Sequence, residues 1–198
     1  MNKGIIQLRV RRKQQTRSEI VSAAFELFGR LGYETVSMES VATAAGISRA
    51  TLFNYFPQKE LILREIAAAR VETLKRILEG FIVSGQPPAF ERIVELMVKL
   101  SQENARITGS SKKLLLQTIL GQASQGLLLA ARNKAIKALA KALEQIPGRK
   151  IDPQLAAEMV FCVYIATMLE WLMREKVSHL WLEETMRKRL VALQKGMK

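Results

Sequence analysis

Apolar residues recur at intervals of three and four along most of the chain, which is the periodicity of one face of an α-helix. The first clear stripe runs over residues 20–31 and stops at Gly32, a residue type that commonly ends helices. Just before it, Thr16 and Glu19 have the spacing of a capping box, so we expect the first helix to begin there. No stretch alternates apolar and polar positions as a half-buried strand does. The pattern predicts an all-α protein.

Two short helices are predicted next, separated by a turn that contains Gly46. Ser37 and Ser48 are suited to begin them, because a serine hydroxyl accepts a hydrogen bond from an unpaired amide at a helix start. Pro57 ends the second of these helices. A helix, a short turn and a second helix form the arrangement of a helix-turn-helix motif, so the N-terminal part is predicted to be a helix-turn-helix domain.

Longer helices are predicted in the remainder of the chain, where a C-terminal helical bundle is expected. One should run from Lys59 to about residue 81. Asp152 and Pro153 form a strong start signal, because Asp caps a helix and Pro fits its first position. Further helices are expected at about 90–105, 111–120, 124–145, 153–176 and 180–195.

The last two predicted helices carry apolar seams whose residues alternate at spacings of four and three, close to the pattern of a coiled coil. The first seam consists of Leu155, Met159, Cys162, Ala166, Leu169 and Met173, and the second of Leu182, Met186, Leu190 and Leu193. The first seam would be exposed on a monomer, as a patch that soluble proteins avoid. We therefore expect a homodimer with a four-helix interface made by the helices at about 153–176 and 180–195.

The short helix at the stretch ISRATLFNYFPQKE has a polar outer face for which a core helix has no use. Arg49 and Phe53 lie four residues apart on one face, with Ala50 and Asn54 beside them. In a recognition helix such residues meet base edges in the major groove of DNA, where Arg pairs bidentately with guanine. The stretch therefore predicts a DNA-reading surface.

Contacts with the DNA backbone are expected from residues around this helix. Thr51 and Tyr55 are also four residues apart, where they can meet phosphate oxygens. Lys59 opens the next helix, at an end whose dipole favours a phosphate.

The chain is strongly basic, with 31 Lys and Arg against 18 Asp and Glu and a formal net charge of +13 at pH 7. This balance indicates an acidic partner such as nucleic acid or an anionic surface. Most of the excess lies in residues 61–150, which hints at an anionic ligand such as an acyl conjugate. The one dense cluster is Arg9, Arg11, Arg12, Lys13 and Arg17. It is either a solvated tail or an arm that reaches a groove or phosphates of DNA.

Catalysis and metal binding find little support in the sequence. Cys162 is the only cysteine and His179 the only histidine, so we expect no disulfide, no metal site, no cofactor and no enzymatic activity. Cys162 lies in an apolar stretch and is expected to be a buried, inert thiol. No signal sequence follows the N-terminal charges, and the longest uncharged run is too polar for a lipid span. We expect a cytoplasmic protein without a membrane partner, associated with the nucleoid when bound to DNA.

Residues 16 to 62 resemble the DNA-binding domain of the tetracycline-repressor (TetR) family. The segment AAFELFGRLGYETVSMESVATAAGIS leads into TLFNYFPQKE, in order and without gaps. The resemblance implies a dimeric transcriptional repressor that leaves its operator DNA when a small-molecule effector binds the larger domain. It divides the chain into a basic arm at 1–15, a helix-turn-helix DNA-binding domain at 16–58, and a helical ligand-binding and dimerisation domain at 59–198.

The resemblance also implies roles for individual residues. The residues that would face bases are Arg49, Ala50 and Phe53, with Asn54 on the same surface. Those that would hold or flank the DNA backbone are Ser37, Ser48, Thr51, Tyr55 and Lys59. Glu39 departs from the family, in which several relatives carry a basic group. Its carboxylate either accepts a hydrogen bond from a cytosine amino group or favours the N-terminus of the second helix.

The ligand site is less defined, because large apolar side chains line pockets and fill helical cores alike. The candidate ligand residues are Met97, Phe161, Tyr164, Met168, Glu170 and Trp171. Glu170 is either a ligand contact or a hydrogen-bonding group at the dimer interface.

Two other functions stay open at this point. One is a ligand-independent DNA-binding regulator or DNA-organising protein, and the other is an enzyme or carrier in the C-terminal domain. A repressor would have few high-affinity sites near its own gene, whereas an organising protein would have many dispersed sites.

Overall fold

The computed structural model describes residues 2–83, 90–105, 112, 114, 125–148, 150–174 and 176–197. These residues form eight helices of seven residues or more: α1 (Asn2–Leu31), α2 (Met38–Ala44), α3 (Arg49–Tyr55), α4 (Lys59–Val83), α5 (Phe90–Ala105), α6 (Gln125–Glu144), α7 (Pro153–Met173) and α8 (His179–Gly196). No strand occurs among them, so the all-α prediction is confirmed. The helix predicted at 111–120 lies outside the described residues, apart from Lys112 and Leu114.

The chain divides into two compact units. The first contains residues 1–69 and 110–124, and the second contains residues 70–109 and 125–198. Helix α4 begins in the first unit, and its residues from Arg70 onward belong to the second. The sequence-based boundary at residue 58 falls earlier, because the first turns of α4 pack into the core of the first unit.

The predicted helix starts at Ser37, Ser48 and Asp152 are confirmed. The side-chain oxygen of each accepts a hydrogen bond from the backbone amide three residues later, at 3.1, 3.1 and 3.0 Å. Gly32 and Gly46 have φ angles of +90° and +66°, in the left-handed region where only glycine is free of strain. These caps and turns fix where α2 and α3 begin and therefore the geometry of the helix-turn-helix motif.

The predicted start of the first helix at Thr16 is wrong, because α1 runs unbroken from Asn2. Residues 5–15 contain no Pro or Gly and consist largely of good helix formers, so the helix continues through Thr16 instead of starting there. The basic arm is therefore a helical extension, and its side chains from Ile6 to Gln15 are exposed.

The core of the first unit joins α1, α2 and α3 to the first turns of α4. Its most deeply buried side chains include Phe28, Val41, Leu52, Phe56 and Ile62, each fully buried. Leu114 belongs to the same core and is 1% exposed. Because Leu52 and Phe56 point inward, the opposite face of α3 is turned to solvent.

Arg17 is not part of a free basic arm, since it ties α1 to α4 and to the end of α3. Its Nε donates to the two carboxylate oxygens of Glu65 at 2.8 and 2.9 Å, and its Nη1 donates to the carbonyl oxygen of Tyr55 at 3.3 Å. Its guanidinium carbon also lies 4.3 Å from the ring centroid of Phe56. The hydrogen bond to Glu65 raises the pKa of Arg17. A single side chain thus fixes the last residue of α3 against two other helices.

In the second unit, α7 packs against α6, and α8 packs against α5 and α7. Helix α7 is apolar on two faces. One face, which includes Val160, Tyr164 and Trp171, is buried within the unit. The other is the seam predicted for dimerisation, on which Leu155 and Met173 are 52% and 73% exposed. Among the described residues, α7 is the one helix whose length and composition would allow it to cross a membrane. Its two apolar faces explain this high apolar content.

Two details of the predicted seams are corrected. The seam of the last helix is core, because Leu182, Met186 and Leu190 are fully buried within the unit. The exposed apolar residues of α8 are instead Leu180 and Val191. The expectation of a buried thiol is also wrong for the single chain, since Cys162 is exposed on the α7 seam.

The position of Arg17 predicts a measurable contribution to stability. Arg17→Met removes the hydrogen bonds to Glu65 and Tyr55, so we expect the free energy of unfolding to fall by about 1–2 kcal/mol, a value kept low because the ion pair is partly exposed. Arg12→Met makes the same chemical change at an exposed position of α1 and should change stability by less than about 0.5 kcal/mol. Urea denaturation of both variants measures the difference, and equal losses would contradict the role of Arg17.

Candidate nucleic-acid interface

The outer face of α3 brings together the residues predicted to read bases. Arg49, Ala50 and Asn54 are exposed, and Phe53 is half-buried beside them. The guanidinium carbon of Arg49 lies 5.4 Å from the ring centroid of Phe53, so the ring supports the cation from one side. This face combines a long forked donor, an aromatic edge and a small apolar group, which are the elements of direct base readout.

Glu39 in α2 reaches across to Arg49 in α3. Its Oε1 lies 3.0 Å from Nε of Arg49, and the two side chains are 53% and 68% exposed. A hydrogen bond from its own backbone amide is the largest cause that lowers the pKa of Glu39, and the charge of Arg49 lowers it further. The carboxylate therefore stays ionised and supports both the start of α2 and the position of the Arg49 side chain. The sequence indicated the first of these roles but not the second.

Hydroxyl groups mark the N-termini of both helices of the motif. Ser48 and Thr51 oxygens lie 2.8 Å apart, and the hydroxyls of Ser37 and Ser40 lie 3.0 Å apart. All four belong to exposed or half-buried residues. Hydroxyls and helix N-termini both favour phosphate oxygens, so this edge suits a DNA backbone.

Lys59 does not fit the phosphate role predicted for its side chain. Its Nζ donates to the backbone carbonyl oxygens of Tyr33, Glu34 and Val36 at 2.7, 3.4 and 3.1 Å, and it lies 4.4 Å from the ring centroid of Tyr33. An ammonium group has three N–H donors, and all of them face these carbonyls. The side chain therefore ties the start of α4 to the loop between α1 and α2.

Basic side chains extend the charged surface along α1. Arg9, Arg11, Arg12 and Lys13 are exposed on the helical extension, which carries no acidic residue before Glu19. Arg17, which the sequence placed in the same cluster, is held by Glu65. Four cations of the cluster are thus presented to solvent on a regular helix.

The candidate ligand residues of the second unit fall into three environments. Met97, Tyr164, Met168 and Trp171 are buried, with exposures of 2–7%, and Phe161 is half-buried with its ring centroid 6.1 Å from that of Tyr164. Tyr164 joins a polar cluster with buried Asn104 and half-buried Arg70. Glu170 lies apart from them.

Glu170 is occupied by two arginines. It accepts a hydrogen bond from Nη2 of Arg189 at 2.5 Å and forms an ion pair with Arg174 at 2.6 Å. The bond to Arg189 is the largest cause that lowers the pKa of Glu170. Arg189 also donates to the hydroxyl of Thr167 at 3.0 Å, so the group ties α7 to α8. No group of three His, Cys, Asp or Glu is placed to hold a metal ion in the part of the chain that the structure describes.

Sequence reasoning missed Arg70 and Asn104, although both interrupt an apolar stripe. Asn104 follows Met97 and Leu100 on α5, and Arg70 follows Ile62 and Ile66 on α4, each at helical spacing. A polar residue at a core position of a helix is the signal that could have identified them.

Comparisons with known proteins agree with this architecture. The family model described as "Bacterial regulatory proteins, tetR family" matches residues 20–66. The putative mycofactocin biosynthesis transcriptional regulator MftR of Mycobacterium tuberculosis is 29% identical over 172 residues, covering 85% of this chain and 85% of that protein.

Two solved structures share the fold over nearly their whole length. A TetR/AcrR-family regulator from Thermobifida fusca has a TM-score of 0.73 at 20% identity, covering 88% of this chain and 96% of that one. FadR of Thermus thermophilus, a TetR-family transcriptional repressor in complex with lauroyl-CoA, has a TM-score of 0.61 at 24% identity and covers 92% and 95%. The helix-turn-helix geometry and the family model agree that residues 20–66 are a DNA-binding domain of the tetR family of bacterial regulatory proteins, and the solved structures share the fold of the chain as a whole.

Proposed function

We propose that this chain is a dimeric, sequence-specific DNA-binding transcriptional regulator that a small-molecule effector releases from its operator. The observation that carries the proposal is the solvent-facing surface of α3, where Arg49, Ala50, Phe53 and Asn54 stand on the buried anchors Leu52 and Phe56. The relatives are regulators, and FadR is a repressor solved with a bound ligand, which supports both parts. Acting on DNA places the protein in the cytoplasm, at the nucleoid when bound.

Arg49 reads a guanine in this proposal. Its guanidinium forms two hydrogen bonds to O6 and N7, while Glu39 keeps the side chain in its reading orientation through Nε. Glu39 also repels phosphates close to it, so it opposes binding at wrong registers. Ala50 and Phe53 meet a thymine methyl group, and Asn54 lies at the edge of the same surface.

The DNA backbone is held by the hydroxyl edge and by the helical extension. Ser37, Ser48, Thr51 and Tyr55 contact phosphates beside the recognition helix. The exposed cations of α1 add contacts that do not depend on sequence. Lys59 supports the loop from inside and is not assigned a phosphate.

The dimer forms on the outer face of α7. Leu155, Cys162, Ala166 and Met173 are exposed there and follow the spacing of a helix–helix seam. The exposed Leu180 and Val191 of α8 extend the same kind of surface. A two-fold pairing of these helices buries this exposed apolar surface and gives the two recognition helices that an inverted repeat requires.

Effector binding acts through α4, which is the helix shared by the two units. An effector that prefers the conformation unable to bind DNA shifts the population toward it. Lowering operator affinity a hundredfold requires about 2.7 kcal/mol of coupling free energy.

The base-reading role is tested by Arg49→Ala. We expect a loss of about 1–3 kcal/mol on the preferred operator and relaxed preference at one base position, because a bidentate base contact is removed. Glu39→Gln should instead strengthen binding to unrelated DNA and narrow the difference between operator and unrelated DNA. Arg30→Ala, at an exposed position of α1, is the matched control. Fluorescence anisotropy on operator variants measures each, and a uniform loss on all sequences for Arg49→Ala would contradict base reading.

The helical extension is tested by the salt dependence of binding. The double variant Arg11→Gln/Arg12→Gln should reduce the slope of log affinity against log salt by about one to two units, since each lost phosphate contact removes about 0.9. Lys137→Gln/Lys141→Gln makes the same change in net charge on exposed positions of α6 and should leave the slope unchanged. Identical slopes for the two double variants would show that the extension is a solvated tail that makes no phosphate contacts.

The dimer surface is tested by Ala166→Glu, which places a charge in the centre of the α7 seam. We expect sedimentation to show monomers that keep their helicity and that no longer bind DNA with two half-sites. Ala130→Glu introduces the same charge at an exposed position of α6 and should stay dimeric. As a second measure, the Cys162 thiol should react slowly in the wild type and rapidly in the Ala166 variant. A wild-type protein that sediments as a monomer would contradict the proposed α7 interface.

A further inference from the structure

Three polar side chains form a continuous cluster inside the second unit. Arg70 of α4 donates from Nη2 to Oδ1 of Asn104 at 2.7 Å. Asn104 of α5 donates from Nδ2 to the hydroxyl of Tyr164 of α7, also at 2.7 Å, and to the carbonyl oxygen of Leu100 at 3.1 Å. Asn104 and Tyr164 are only 6% and 7% exposed. Three helices of this unit therefore each contribute one member to this polar cluster.

The polar cluster contains a positive charge whose hydrogen-bonded partners are neutral. Burial raises the pKa of Tyr164 to about 12, so its phenol is uncharged under physiological conditions. Burial is also the largest influence on Arg70 and lowers its pKa, while the negative charge of Glu103 acts more weakly in the opposite direction. An arginine remains protonated even so. Because Arg70 is half-buried, the cluster carries part of the cost of desolvating a cation.

A purely structural role explains this arrangement poorly. Apolar residues of similar volume commonly stabilise a helical core as well as or better than a buried charge. A guanidinium offers five N–H donors in a fixed fork, and the described hydrogen bond of Arg70 to Asn104 uses one of them. The rest of the fork has the geometry that matches two oxygens of one carboxylate or phosphate.

Apolar side chains lie next to the polar cluster at helical spacing. Met97 and Leu100 precede Asn104 by two turns and one turn of α5, and Met168 and Trp171 follow Tyr164 on the buried face of α7. The methionines are the adaptable members of such a set, because their unbranched side chains repack around a guest more readily than branched ones. A ligand that suits this combination carries an anionic head on an apolar body.

We propose that Arg70 and Asn104 bind the carboxylate or phosphate head of an amphipathic anion, with the apolar body against the neighbouring face of α5 and α7. This inference rests on the proposed function, since it defines the chemical class of the effector. Arg70 lies on α4, which continues to Lys59 in the DNA-binding unit. An anion bound by Arg70 would thus contact directly the helix that the two units share.

The test uses decanoate and decyl phosphate as anionic probes and 1-decanol as their neutral counterpart, each below its aggregation limit. Isothermal calorimetry on the full-length dimer should show both anions binding the wild type, and Arg70→Met should weaken both by at least about tenfold because the bidentate charge contact is lost. Arg76→Met makes the same change at an exposed position of α4 and should bind like the wild type. 1-Decanol should bind all three proteins weakly and alike.

Arg70→Lys keeps the positive charge, and it tests the role of Arg70 in anion binding if Arg70→Met does not fold. It should weaken both anions several-fold because a lysine lacks the fork. The proposal is overturned if neither anion binds the wild type, or if the Arg70 variants that fold bind the anions as tightly as the wild type does. The stronger of the two anions identifies the head group as carboxylate or phosphate.

DNA binding separates this proposal from the proposed function. Without a probe, wild type and Arg76→Met should bind the operator equally, and the anions should lower operator affinity for both. If the anions bind through Arg70 without changing operator affinity, the site stands and its role as effector site fails. If operator DNA is not bound at all, the proposed function fails while calorimetry still decides the site.

Discussion

Arg17 holds three helices of the DNA-binding unit in one arrangement, through hydrogen bonds to Glu65 and the carbonyl of Tyr55 and through its contact with Phe56. This constraint matters because α3 has only seven residues and a helix of that length is not stable alone. Its orientation is imposed by the burial of Leu52 and Phe56, by the Ser48 cap and by the Arg17 tie at its other end. The orientation of the outer face of α3 is therefore a consequence of the packing beneath it.

Other cations of the protein also fall into two groups. Some are held in contacts within the protein, and others are exposed to solvent. Arg17 and Lys59 are held by hydrogen bonds within the first unit, and Arg189 joins α7 to α8 through Glu170 and Thr167. Arg49 and the cations of the helical extension are exposed. The net charge of +13 therefore overstates the charge offered to DNA, and the positions of individual side chains decide which cations are available.

The sequence was sufficient for features that depend on neighbouring residues. The caps at Ser37, Ser48 and Asp152 and the all-α architecture follow from local hydrogen bonding and from periodicity. The apolar seam of α7 was also predicted from its spacing, and Leu155 and Met173 at its ends are exposed.

Features that depend on tertiary packing could not be read in the same way. The partners of Arg17, Lys59 and Arg49 lie on other helices or loops, and nothing local to these residues indicates them. The stripe of α8 looked like an interface seam because core stripes and interface stripes have the same spacing, and only the position of α5 distinguishes them. The predicted start of α1 at Thr16 is wrong because a capping sequence can also occur inside a longer helix, and the sequence alone does not distinguish the two cases.

The central claim is that two copies of this chain read an inverted DNA repeat with α3. Selection from a random DNA library by the purified wild-type protein, followed by sequencing of the bound fraction, tests it most directly. The account predicts enrichment of one inverted repeat whose half-site centres lie one helical turn, about 34–36 Å, or a multiple of it apart. Recovery of unenriched DNA, or of a single half-site without its symmetry mate, would contradict it.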